Sequence, residues 1–141
     1  MIPERYAPAT YALFRIVFGF IFLIFGLQKF GLLQGQAAQL ASLQGAAGVI
    51  ETVTGLLIMI GLFTRPAAFI ASGEMAVAFF YIHVYNIGMG GKSLALPHAL
   101  LPQWNNGVDA ALFSVAFLYI CSRGAGMLSL DGAKGGRGSR R

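Results

Sequence analysis

Four apolar runs, each broken by a short polar stretch, organise this chain. They cover about Thr10 to Phe30, Ala46 to Phe63, Pro66 to Tyr85 and Gly107 to Cys121. Each is about 15–21 residues long, enough to cross a hydrocarbon layer of about 30 Å as a helix, the fourth being the shortest. Backbone hydrogen bonds in lipid must close within a segment, so helices are the expected form. Only Thr64-Arg65 separates the second run from the third. This predicts a tight antiparallel hairpin, with Thr64 as N-cap and Pro66 in the first turn of the next helix. Between the first two runs, the stretch from Gln36 to Leu43 is too polar to span and predicts a short helix lying at the interface. The link from Asn86 to Asn106 carries Gly88, Gly90, Gly91, Pro97, Pro102 and Trp104, a loop composition with one interfacial aromatic anchor. The expected fold is an all-α integral membrane protein, a four-transmembrane-helix antiparallel bundle over residues 1–121. A basic glycine-rich cytoplasmic tail, expected to be mostly disordered, follows over residues 122–141.

Composition agrees with the pattern. Of 141 residues, 57% are hydrophobic and 11% charged, and the mean hydropathy is +0.70, values that belong to a membrane protein rather than a water-soluble domain. The first apolar run lacks an A-x-A cleavage site and ends in Lys29, so it reads as a retained helix and not a signal peptide. If all four runs span, Arg5, Arg15, Arg65, Arg123, Lys134, Arg137, Arg140 and Arg141 share one side, and Lys29 and Lys92 lie on the other. That bias places both termini in the cytoplasm. The basic tail is read as a membrane flank, with no nucleic-acid partner expected. One cysteine, Cys121, excludes an internal disulfide and a CxxC redox pair. With only His83 and His98 beside it, no zinc-binding spacing is present, and no metal is expected.

Charge inside the apolar runs is the chemical clue. An ionisable side chain at membrane depth is costly without a partner or water. Arg15, Gly19, Phe22, Gly26 and Lys29 share one stripe of the first helix. Glu51 shares a face with Thr54, Gly55 and Ile58, and Glu74 with Ala67, Ala71, Ala78, Tyr81 and Tyr85. Depth along the helices predicts an inner pair, Arg15 with Glu74, and an outer cluster of Lys29, Glu51 and Asp109. Each residue also has a plainer reading. Asp109 suits a first-turn acid three residues after an Asn106 N-cap. Lys29 and Arg15 can snorkel to headgroups. Glu51 and Glu74 can serve structural ion pairs that fix helix register. His83 fits a wet interface, and Phe79, Phe80, Tyr81 and Tyr85 fit an aromatic belt.

Taken in order, Arg15…Gly19…Gly26-x-x-Lys29, Glu51-x-x-x-Gly55, Gly61-Leu-Phe-Thr-Arg65, Asn106-Gly107 and Gly124-Ala-Gly-Met-Leu-Ser-Leu-Asp131 resemble the DoxX family, across most of the chain. Two departures stand out: Ala125 replaces a frequent proline, and Met127-Leu128 replaces an aromatic-containing pair. The resemblance implies a small four-helix protein of the bacterial inner membrane. Some relatives are subunits of a thiosulfate–quinone oxidoreductase, and others are linked to quinone or sulfur redox stress. The bundle is also similar to that of vitamin K epoxide reductase, but the cysteine pairs of that enzyme are missing here.

Two function classes follow. In the first, quinone enters from the bilayer as the one expected cofactor, none being covalently bound. Lys29 stabilises developing charge, Glu51 or Asp109 relays a proton, and Arg15, Glu74, Tyr81, His83, Tyr85 and Asn106 contribute to binding. Electrons then come from a redox partner subunit, because no flavin, haem or iron–sulfur motif is visible. In the second, the chain is a non-enzymatic membrane anchor of a redox complex, surrounded by lipid and able to form a homo-oligomer.

Overall fold

The structure, a computed structural model, describes residues 3–33, 35–85 and 98–135. A 3-10 turn at Glu4–Tyr6 leads into α1 (Ala7–Lys29). Then come α2 (Leu43–Ile60) and α3 (Thr64–Val77), which continues as a π-helix over Ala78–Val84. A 3-10 turn at His98–Leu100 precedes α4 (Val108–Arg123), and a short α5 covers Leu130–Gly135. Three of these stretches, Glu4–Lys29, Leu43–Ile60 and Thr64–Val84, are long and apolar enough to cross a membrane. At 16 residues, α4 extends about 24 Å.

α1 lies along α2, and α3 along α4. Both pairs run antiparallel. A β-carbon placed on Gly19 would stand 2.6 Å from the Met59 amide nitrogen, and one on Gly26 would stand 2.5 Å from that of Thr52. Ascending α1 therefore descends α2, and the two backbones meet where side chains are missing. In the second pair, the Ser72 hydroxyl donates to the Ser114 carbonyl (2.8 Å) and the Ser114 hydroxyl to the Ser72 carbonyl (3.2 Å). Further along, the Phe79 ring closes on Gly107. Phenyl rings fill the centre: Phe22 meets Phe117 at 4.6 Å and Phe113 at 5.9 Å between centroids. Leu13, Val17, Phe20, Val53, Leu56, Phe69, Leu112 and Val115 face outward, an apolar exterior that suits lipid and not water.

Several expectations need correction. Residues 35–39 form no helix, so the predicted interfacial segment is an irregular loop. The tail is not disordered where it is described. After Gly124 and Gly126, both at positive φ, it folds back and ends in α5. Thr64 does not cap α3: the N-cap is Phe63, held in the left-handed region at φ 47°. Gly88, Gly90, Gly91, Lys92 and Pro97, and Arg137, Arg140 and Arg141 of the tail, lie outside the described residues.

Candidate functional site

Near one end of the α1/α2 pair, the Lys29 ammonium binds Glu51 Oε1. The close approach of Gly26 to Gly48 and Thr52 sets up this contact, because it brings the last turn of α1 against the first turns of α2. Glu51 is 1% exposed. The Lys29 side chain retains 26% of its exposure, so the pair is reached from the lysine side. Glu74 of α3 is half-buried and within Coulombic reach of both Glu51 and Lys29. The pairing leaves two oxygens over: Glu51 Oε2 and Glu74 Oε2 are buried and accept no hydrogen bond. Leaving such acceptors without donors costs about 1–3 kcal/mol each, more when charged. A saturated structural ion pair would not carry that cost.

Arg15 does not pair with Glu74. Its guanidinium is fully buried and bonds carbonyl oxygens. Nη1 donates to Ile58 (2.5 Å) and Met59 (2.7 Å), and Nη2 to Met127 (3.2 Å) and Leu128 (2.7 Å). The last carbonyls of a helix lack intrahelical partners and carry its negative dipole end, so a buried cation finds compensation there without a carboxylate. Asp131 completes this knot. Its backbone amide donates to Gly61 O (2.9 Å). Its carboxylate accepts from the amides of Phe63 (3.1 Å) and Thr64 (3.0 Å) and from the Thr64 hydroxyl (3.1 Å). Asp131 thus caps α3 from the far end of the chain.

The remaining candidates scatter. Asp109 does not join the Lys29–Glu51 pair; it is exposed in the first turn of α4, where an acid complements the helix dipole. Asn106 is not a capping residue: it is exposed at φ 58°, and the N-cap is Gly107. Its neighbour Asn105 is the buried asparagine, donating to Ala99 O (2.8 Å) and accepting from the Gly107 amide (2.7 Å). His83 Nδ1 lies 3.1 Å from Asn105 O, and Tyr81 and Tyr85 are exposed on the π-helical turn and beyond it. Sequence reasoning missed Tyr11, whose hydroxyl donates to Gly124 O. It missed Asn105 and the Ser72–Ser114 exchange as well. Asp131 was within reach, since it closes the glycine-rich motif. Among the described residues no group of three or more His, Cys, Asp or Glu side chains is placed to hold a metal.

A helical bundle with an apolar exterior and ionisable side chains turned inward defines an integral membrane protein. The DoxX family model matches residues 10–84, and the chain belongs to the DoxX family. The matched stretch includes Arg15, Lys29, Glu51 and Glu74 and stops before α4 and the tail motif. The chain is 40% identical over 133 residues to a protein of Haemophilus influenzae described as "Uncharacterized protein", covering 91% of this chain and 92% of that one. No solved structure matches it.

Proposed function

We propose that this DoxX protein is a multi-pass subunit of the bacterial inner membrane serving a quinone-linked redox system, with Lys29, Glu51 and Glu74 as its ligand site. All four long helices span, and both termini are cytoplasmic, in keeping with the distribution of lysine and arginine. One observation carries the reading: Glu51 Oε2 and Glu74 Oε2 are buried without donors, and the ammonium that holds Glu51 is still partly open. A polar headgroup entering from the lysine side would satisfy what the protein leaves unsatisfied. Lys29 then sits by the oxygen that gains charge on reduction, and the glutamates accept or deliver protons. Electrons come from a partner subunit, with a sulfur compound as one donor class suggested by the family. Asp109, Tyr81, Tyr85, Asn106 and Arg15 are not carried into this site.

The test is thermal unfolding of the purified protein with short-chain quinone and quinol. A ligand that binds only the folded state adds about 2.7 kcal/mol at a hundredfold excess over Kd, which raises Tm by several degrees. Lys29→Met should abolish the shift while the bundle still melts cooperatively. Absence of a shift with either oxidation state would end this proposal.

The second reading, a non-enzymatic anchor, draws on the other end of the molecule. There Arg15, Asp131 and Tyr11 are committed to backbone partners, as in a scaffold that presents a rigid face to a partner subunit or to a second copy of the chain.

A further inference from the structure

We infer that the Lys29–Glu51–Glu74 cluster is built for the reduced, hydroxyl-bearing form of its ligand, a quinol in preference to the quinone. This rests on the reading of the cluster as a quinone-type site and adds to it which oxidation state the site recognises.

The argument starts from the polarity of what is unmatched. Glu51 Oε1 takes the Lys29 ammonium, whereas Glu51 Oε2 and Glu74 Oε2 receive nothing. Beside an ammonium, Glu51 is an ionised carboxylate and offers lone pairs only. A quinone also offers only acceptors, so its carbonyl oxygens would face those lone pairs without a hydrogen bond. A quinol brings O–H donors, and hydrogen bonds from a hydroxyl to a carboxylate are among the strong, short ones. Lys29 admits both forms, because an ammonium can donate to a carbonyl or to a phenolic oxygen. Selection between the two forms therefore falls to the unmatched second oxygen of Glu51.

The Lys29 stem and the Phe30 ring pack against Gly48, 3.0 and 3.4 Å from where a β-carbon would stand, so this glycine lets the end of α1 approach α2 and brings the ammonium to Glu51.

The experiment uses the full chain in lipid nanodiscs under anaerobic conditions. Short-chain ubiquinol and ubiquinone are titrated separately, and Kd is read from thermal shift. The expected result is quinol binding about tenfold or more tighter than quinone, as one charge-assisted hydrogen bond predicts. Glu51→Gln puts an amide donor where only acceptors stood, so it should shrink the preference to less than about threefold. Glu51→Asp keeps the acceptor and should keep the preference. If the glutamine variant does not fold, the wild-type ratio remains decisive.

Equal affinity for both forms, or tighter quinone binding, overturns the inference and leaves the quinone site standing. Competition between quinol and sodium or potassium ions, lost in Glu51→Gln, also overturns it, by assigning the carboxylates to a cation. Failure of both forms to bind removes the quinone site and this inference together.

Discussion

Arg15 shows how a full charge is kept in an apolar bundle without a counter-charge in contact. Its four hydrogen bonds go to two carbonyls at the end of α2 and two in the returning tail, and Asp131 lies within Coulombic reach. Arg15→Met should therefore destabilise the protein by about 1–3 kcal/mol, because four carbonyls lose a charged donor while the packing stem is kept. Arg15→Lys should recover only part of that loss, since a single ammonium cannot span two pairs of carbonyls as the planar fork does. Thermal unfolding in detergent measures both; a methionine variant as stable as the parent would contradict this role. The sequence could not reveal this arrangement. Periodicity gives the face of a residue, and rise per residue gives its depth, but carbonyl acceptors have no signature in side-chain identity. That is why Arg15 was matched to Glu74, the nearest carboxylate by depth. Lys29 and Glu51 were legible because both partners are side chains, on helices whose antiparallel order brings them level.

At the scale of elements, the spacing of glycines decides which helices touch. Gly19 and Gly55 sit where the backbones of α1 and α2 nearly meet, and a β-carbon on either would stand 2.6 or 2.5 Å from a backbone nitrogen of the partner helix. Gly19→Leu should push the pair apart and cost about 1–3 kcal/mol or more, with loss of the Lys29–Glu51 contact and of ligand binding as a consequence. Gly73 is the internal control. It is exposed on α3 with nothing within 4 Å of an added β-carbon, so Gly73→Ala should be neutral or stabilising by up to about 1 kcal/mol. Melting temperatures of the two variants, measured side by side, check this contrast. The seam was readable from the 4-3-4-3 spacing of α1. The π-helical end of α3 was not, because a π turn differs from an α turn by a backbone hydrogen-bond shift that no residue type announces. The N-cap of α4 falls on Gly107 and not on Asn106, and the asparagine that accepts from the Gly107 amide is Asn105, a choice between two chemically identical side chains that only the fold makes.

For the whole molecule, the proposed four spans would put the α1–α2 link and the two termini on opposite sides of the membrane. With Cys121 replaced by serine, Ser42→Cys should react with an impermeant maleimide in cells whose outer membrane alone has been opened, and a tag placed after Arg141 should be protected from protease until the inner membrane is broken. The reverse pattern would invert the bundle, and with it the side from which the cluster is reached. The helical membrane class was the most legible property of this chain, since long apolar runs leave few alternatives. Function was the least, since the buried cluster announces polarity and not a substrate.

The return of the tail onto Arg15 and α3 sets an order of events during biosynthesis. The residues that fasten the hairpin between α2 and α3 leave the ribosome after every helix they fasten. Until then the guanidinium holds only the two carbonyls at the end of α2, and the first amides of α3 lack the carboxylate that caps them, so the hairpin stays unfastened at that end. A nascent chain cut short before Asp131 would hold its spans in the bilayer yet never lock them, and membrane proteases could recognise it by that unfinished end.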